Sequence, residues 1–427
     1  MKKEMPIYDV LIVGAGLSGL AAAQRIDQSG LNYCVLEAAS RAGGKVDSGT
    51  NAEGKYWLEL GAQFVNTDMT EMVRFIEASG MSLVKTHAQP NSVFLHAKTM
   101  EPVGDLIEAV DEDLLGDLES SDLSLSEVIE ELTDTTEEAA VAKSFITEEA
   151  TVDTDYMSAE SYIDVSERYT SEQDDLTHQA SGQLSQVIAY LVDNLKVPVH
   201  FSQPVRQVEK QGDHYEVTTE SGDRYRAKGL LLAVPPTVAS RLSLPEDLHA
   251  HFAPLLSSFV DGSVIKVTLS YDQSFWTAVE LEEEKLPVEG IVFSRFQGLS
   301  ISDSSKEGDT PRLTAFIGGD LAKDLAGQPA SARQQFVLDR LHEVLGKEAA
   351  EYVDYRESIW VDHPFCGGGY SAQVHVDGIA DAPEQLRQPF EKCVFASTEL
   401  AEAFPGFMEG AARAGTFAAE QLIEQLA

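Results

Sequence analysis

Three glycines, Gly14, Gly16 and Gly19, stand between the apolar run "YDVLIV" and the alanine-rich stretch "GLSGLAAAQRIDQSG". A G-x-G-x-x-G set in that place is chemistry for a dinucleotide phosphate. The first glycine permits a tight turn, the second lets backbone approach a pyrophosphate, and the third allows close helix packing. The helix that follows aims its N–H groups and positive dipole end at the anion. Glu37, 18 residues after Gly19, ends the next apolar run and can accept hydrogen bonds from ribose hydroxyls; an acid there argues against a 2'-phosphate. The plain alternative is a glycine-rich turn that holds no ligand.

These residues need a βαβ unit to position them. Residues 8–13 read as a buried strand, the alanine-rich stretch as a helix ending at Gly30, and "NYCVLEA" as the next strand. Cys34 falls in that strand, where a free cysteine acts as a small hydrophobe. "TDMTEMVRFIEASG" reads as a helix capped by Thr67 or Asp68 and stopped at Gly80. Helical patterns follow near 124–132, 137–148, 182–195 and 331–345, and "MEGAARAGTFAAEQLIEQL" closes the chain as a last helix. Strands are expected on both sides of a turn at Ser221 and Gly222, and again at "SVIKVTLSYD", "GIVFSRF", "RLTAFIGG" and "YRESIWVD". No linker cuts the chain into consecutive domains, so a domain assembled from separated segments is the simplest organisation.

With 427 residues, 43% of them hydrophobic, the chain can bury a large core. Its formal charge of -40 excludes nucleic acid and anionic membrane as partners, because phosphate binding needs concentrated Lys and Arg. Residues 105–175 carry 24 Asp and Glu against Lys143 and Arg168. That segment reads as solvated helix faces, or as a region that draws in cations. No signal-peptide run and no membrane-length apolar window occurs, so a cytoplasmic location is expected. Cys34, Cys366 and Cys393 are widely spaced and indicate neither disulfides nor a metal site.

After Glu37 comes "AASRAGGKV", of the form E-x3-R-x-G-G-[RK]. Here the chain resembles the flavin-containing amine oxidases, the relatives of monoamine and polyamine oxidases. The likeness extends through "WLELGAQFV", "SGQLSQVIAYL", "PVRQVEK", "LLLAVPP" and "SVIKVTLSYDQSFW" to "VFASTELAEAFPGFMEGAARAGTFAAEQL", and is weak between 105 and 180. It implies an α/β fold: a discontinuous Rossmann-type FAD-binding domain of the glutathione-reductase-like class (1–80, 184–256, 372–427) with a mixed α+β substrate domain (81–183, 257–371). It assigns FAD contacts to Gly14, Gly16, Leu17, Ser18 and Gly19, to Glu37 and Ala38, and to Arg41, Gly43, Gly44 and Lys45. Further contacts fall to Gly61, Ala62, Gln63 and Phe64, to Val205, to Ala233 and Pro235, and to Glu399, Met408 and Ala411. Lys45 stands where arginine is usual, which loses a bidentate contact but keeps the charge; Ser397 stands where glycine is usual.

The same resemblance implies the reaction. A neutral amine substrate held between Tyr370 and Phe407 would give a hydride to the flavin, the imine would hydrolyse, and O2 would reoxidise the flavin with release of H2O2. Lys266 would hold a water near the flavin, although its alternation with Val264 and Thr268 alone reads as an exposed strand lysine. A protoporphyrinogen-oxidase-like or desaturase-like enzyme acting on a larger apolar substrate shares the FAD fingerprints, and so does a flavin-binding redox protein without turnover. In "FCGGGYSAQ" the cysteine that tethers FAD in monoamine oxidases would fall at Gly369, three residues after Cys366, so non-covalent FAD is expected. Which amine is oxidised is not legible, and a homodimer stays open.

Overall fold

A computed structural model of the chain describes residues 6–51, 54–87, 93–94, 123–173, 176–278, 280–281, 284–285, 291–293, 298–306 and 308–427. Two sheets organise them. In the first, strand β1 (Ile7–Val13) lies between β2 (Tyr33–Leu36) and the strand Arg224–Leu232, parallel to both, with Val199–His200 parallel beyond β2. The start of Arg224–Leu232 pairs antiparallel with His214–Thr219, and its end pairs parallel with Cys393–Phe395. Val10 to Ile12 and Leu230 to Leu232 are fully buried, as a parallel sheet covered on both faces requires. Cys34 is buried in β2, where burial pushes its thiol up to about 12.

Helix α1 (Leu17–Ser29) covers one face and packs against the terminal helix Met408–Leu426. Small residues permit the approach: a Cβ on Gly415 would stand 2.0 Å from the Ser18 carbonyl oxygen. The alanines Ala21 to Ala23 are buried in the same core.

The second sheet runs in the order Asp354–Ile359, Val264–Ser270, Arg312–Gly318, Leu299–Asp303, Ile291–Phe293, Val93–Phe94. Its first four strands are antiparallel neighbours. Every residue of Val264–Ser270 is buried, Lys266 among them at 4% exposure. The alternation that reads as an exposed lysine is therefore overturned, because both faces of this strand are covered.

Helices in the acidic segment form close to expectation. Leu125–Leu132 and Thr136–Ala150 each begin with a capping box, Ser124 with Glu127 and Thr135 with Glu138. The helix Thr70–Ala78 departs from expectation at its start. Neither Thr67 nor Asp68 caps it; Thr67 donates to Gln173 and Asp68 accepts from Ser171 and the Glu172 N–H. The fully buried carboxylate of Glu409 accepts the Glu71 and Met72 N–H groups instead, and pairs with Arg413 at 2.7 Å. One acid thus fastens that helix to the terminal one.

Candidate active site

The glycine turn closes tightly. Gly14 has φ +105°, and a Cβ on it would meet the Ala233 carbonyl oxygen at 2.4 Å. A Cβ on Gly19 would lie 2.0 Å from the Gly14 carbonyl oxygen. Gly16 is different: a Cβ there would meet nothing nearer than the Gly44 Cα, at 4.0 Å. Packing explains the first and third glycines, and only open space explains the second.

That space is a cavity of about 860 Å³ running between the two sheets. Every residue that the sequence assigns to cofactor or catalysis lines it except Gly19, which stays within the turn. Two helix N-termini open into it, α1 at Gly16 and the terminal helix at Phe407, and neither carries a side-chain cap. Their first-turn N–H groups and dipoles suit an anionic or electron-rich group at each end. Four buried polar atoms of the wall lack a protein partner: Gln63 Oε1, Gln203 Oε1, Ser397 Oγ and Glu399 Oε2. Buried polar atoms are ordinarily hydrogen-bonded, so the wall is built for a long polar ligand.

The charged residues are held in distinct ways. Glu37 accepts the Ala15 N–H at 2.7 Å and the Ala39 N–H at 2.8 Å; burial raises its pKa, and these donors pull it back. Arg41 gives its donors to the carbonyls of Ala42, Gly44 and Val46 and stands 3.5 Å from Asp47. It shapes the glycine loop at the cavity wall. Lys45 donates to the Tyr370 carbonyl at 3.0 Å, and Glu399 Oε1 accepts the Ala372 N–H.

Lys266 Nζ donates to the Gly61 carbonyl at 2.8 Å and lies 5.6 Å from the centre of the Phe316 ring. Burial lowers its pKa, opposed by the nearby Glu59 carboxylate, which is itself buried and raised. Tyr370 meets Phe316 edge to face at 5.9 Å, and Phe407 stacks on Tyr169 at 4.9 Å. Tyr370 and Phe407 thus present rings to one cavity, each braced by a second aromatic. Cys366 is buried among Val264, Trp360 and Tyr370 on the same wall, and burial raises its thiol pKa.

A model of the family described as flavin containing amine oxidoreductase matches residues 17–423. The chain belongs to that family. An "Amine oxidase [flavin-containing]" of Danio rerio is 26% identical, covering 97% of this chain and 86% of its own length. The "Amine oxidase [flavin-containing] B" of Homo sapiens is 25% identical over 98% of this chain and 86% of its own. Among solved structures, putrescine oxidase bound to putrescine superposes with a TM-score of 0.86 at 25% identity, covering 98% of this chain and all of that one. Cyclohexylamine oxidase from Brevibacterium oxydans IH-35A shares the fold, with a TM-score of 0.86, 23% identity and 99% and 100% coverage. The chain is thus an amine oxidoreductase with a mixed α/β fold.

This flavin amine oxidoreductase has wall residues that sequence reasoning missed: Glu148, Tyr169, Ser300, Phe316 and Trp360. Phe316 faces Lys266 directly across the ladder, a pairing between strands far apart in the chain. Glu148 did leave a signal. Val141, Ser144, Phe145 and Glu148 follow the i, i+3, i+4, i+7 spacing of one helix face, so an acid sits on a stripe that turns inward.

Proposed function

We propose that the chain is an FAD-dependent amine oxidase that converts an amine to an imine and passes the electrons to O2, giving H2O2. The observation that carries the reading is the single cavity: uncapped helix N-termini and orphaned polar atoms along one part, and Lys266, Tyr370 and Phe407 in the wall of the same space. Bound flavin supplies the hydride acceptor and the route to dioxygen. The protein's own work is to bind and orient. Tyr370 and Phe407 offer ring faces to an amine nitrogen. Lys266, buried and tied to Gly61, keeps further donors for a water or for an oxygen species that gains charge. The first turn of the terminal helix favours negative charge at its end of the cavity.

The Rossmann-type assignment rests on the β1–α1–β2 unit and its glycine turn. The cofactor domain, 1–80, 184–256 and 372–427, would contain all strands of the first sheet, and the substrate domain, 81–183 and 257–371, those of the second. A short ladder, Phe259–Asp261 with Ala372–Val374, ties the two together.

Non-covalent attachment has a steric reason. A Cβ on Gly369 would lie 2.3 Å from Thr151 Oγ1 and 2.9 Å from the Ser263 nitrogen, which leaves no room for a tethering cysteine. Acid precipitation is expected to release yellow flavin into the supernatant, and flavin retained on the denatured chain would contradict this. A peroxide assay over monoamines, diamines, polyamines and amino acids tests the activity. Bound flavin with no peroxide from any of them would favour a desaturase-like or non-catalytic role.

A further inference from the structure

Of the cavity-wall acids with no part in the chemistry above, Glu148 is the one bonded to the Tyr370 hydroxyl. Glu148 lies in the last turn of the helix Thr136–Ala150 and lines the cavity beside Phe145, Ser300, Phe316 and Tyr370. Its Oε1 accepts the Tyr370 hydroxyl at 3.3 Å, and the Ser300 hydroxyl is its other partner. Both are neutral donors. Among the described residues no salt bridge reaches Glu148: Lys143 on the same helix pairs with Glu130, Lys45 is given to the Tyr370 carbonyl, and Lys266 to that of Gly61. Burial pushes the Glu148 carboxyl up to about 7.

Carboxylates are rarely placed in an apolar wall without a cation, because burying the charge is costly until a partner arrives. Here the tyrosine that offers its ring to the reacting nitrogen also donates its hydroxyl to that carboxylate. A substrate nitrogen at the Tyr370 ring face therefore sits with an acid beyond the ring's far edge. An extended substrate can reach both.

We infer that Glu148 is a substrate-contacting specificity residue that receives a second cationic nitrogen, so that the chain prefers amines carrying a distal ammonium, diamines and their longer analogues, over monoamines of the same length. The inference rests on the amine oxidase reading and narrows it. A distal ammonium would replace the missing counter-charge with a charge-assisted hydrogen bond, whereas a distal methyl would leave the carboxylate against hydrocarbon. The Tyr370 and Ser300 hydroxyls hold the carboxylate in place.

The test compares butane-1,4-diamine with butylamine, which match in length and differ at the far end. For the wild-type holoenzyme, kcat/KM for the diamine is expected to exceed that for butylamine by tenfold or more, with the difference mainly in KM. Glu148→Gln keeps the size and one acceptor oxygen but loses the charge, and the diamine-to-butylamine ratio is expected to fall at least tenfold. Glu148→Asp, with the charge set back, is expected to recover part of the ratio. Wild type that oxidises butylamine as well as or better than the diamine overturns the inference while the amine oxidase reading stands, as does a ratio unmoved in Glu148→Gln. Flavin-loaded wild type inert toward both amines overturns the inference, and only inertness across the wider amine panel overturns the amine oxidase reading with it. The wild-type comparison decides even if a variant fails to fold.

Discussion

Lys266→Met is expected to slow reaction of the amine-reduced enzyme with dioxygen by on the order of a hundredfold, the usual cost of losing one preorganised donor at a site of developing charge. Anaerobic reduction by amine should stay near the wild-type rate. The argument starts from burial. Lys266 lies in a fully covered strand, anchored to the Gly61 carbonyl, with its nitrogen in the cavity wall. Methionine fills a similar volume, so packing is nearly kept and the charge and donors are lost. Stopped-flow mixing of reduced enzyme with oxygenated buffer reads the effect, and an unchanged rate would remove Lys266 from the oxygen step. pH gives a second reading. Burial favours neutral amine, so the lysine loses its proton well below the ordinary lysine range. If the ammonium is the active form, the wild-type oxygen rate falls as pH rises through that lowered pKa, and the methionine variant shows no such limb.

The second large effect is at Gly16. Gly16→Ala is expected to lower flavin affinity by tenfold or more while costing the flavin-free protein no more than about 1 kcal/mol, the preference for glycine over alanine at a helix cap. The backbone there, φ -67° and ψ 178°, suits any residue, and the first contact of a Cβ is 4.0 Å away. Gly19→Ala is the contrast: its Cβ would strike the Gly14 carbonyl, so it should destabilise the flavin-free protein itself. Thermal unfolding and flavin titration of both variants separate the glycine that serves the ligand from the glycine that serves the fold. Equal loss of stability in the two would refute that division.

What was legible in the sequence follows from the range of the interactions involved. The β1–α1–β2 unit could be read because glycine spacing and apolar runs are local, and the terminal helix because its small residues and period are continuous. Glu148 could not be found by counting charges, since it lies in a segment whose acids are mostly solvated; its helical face carried the signal. The cap on Thr70–Ala78 comes from Glu409, and no motif near Thr67 announces that. The E-x3-R spacing located Arg41 at the cavity but not the use of its guanidinium, which the loop carbonyls decide. Tyr169 and Phe316 brace the Phe407 and Tyr370 rings through contacts across the fold, and aromatics scattered through a sequence carry no such pairing. The strand Leu299–Asp303, short and rich in serine, went unread for the same reason: its neighbours in the sheet bury it.

The most direct test is anaerobic mixing of the flavin-loaded protein with an excess of each amine in the panel, followed at the absorbance of oxidised flavin. At least one amine is expected to bleach the flavin fully, and admission of air to restore the colour with about one H2O2 per flavin. Flavin that stays oxidised with every amine, in protein that is folded and loaded, would contradict the assignment of this cavity to amine oxidation.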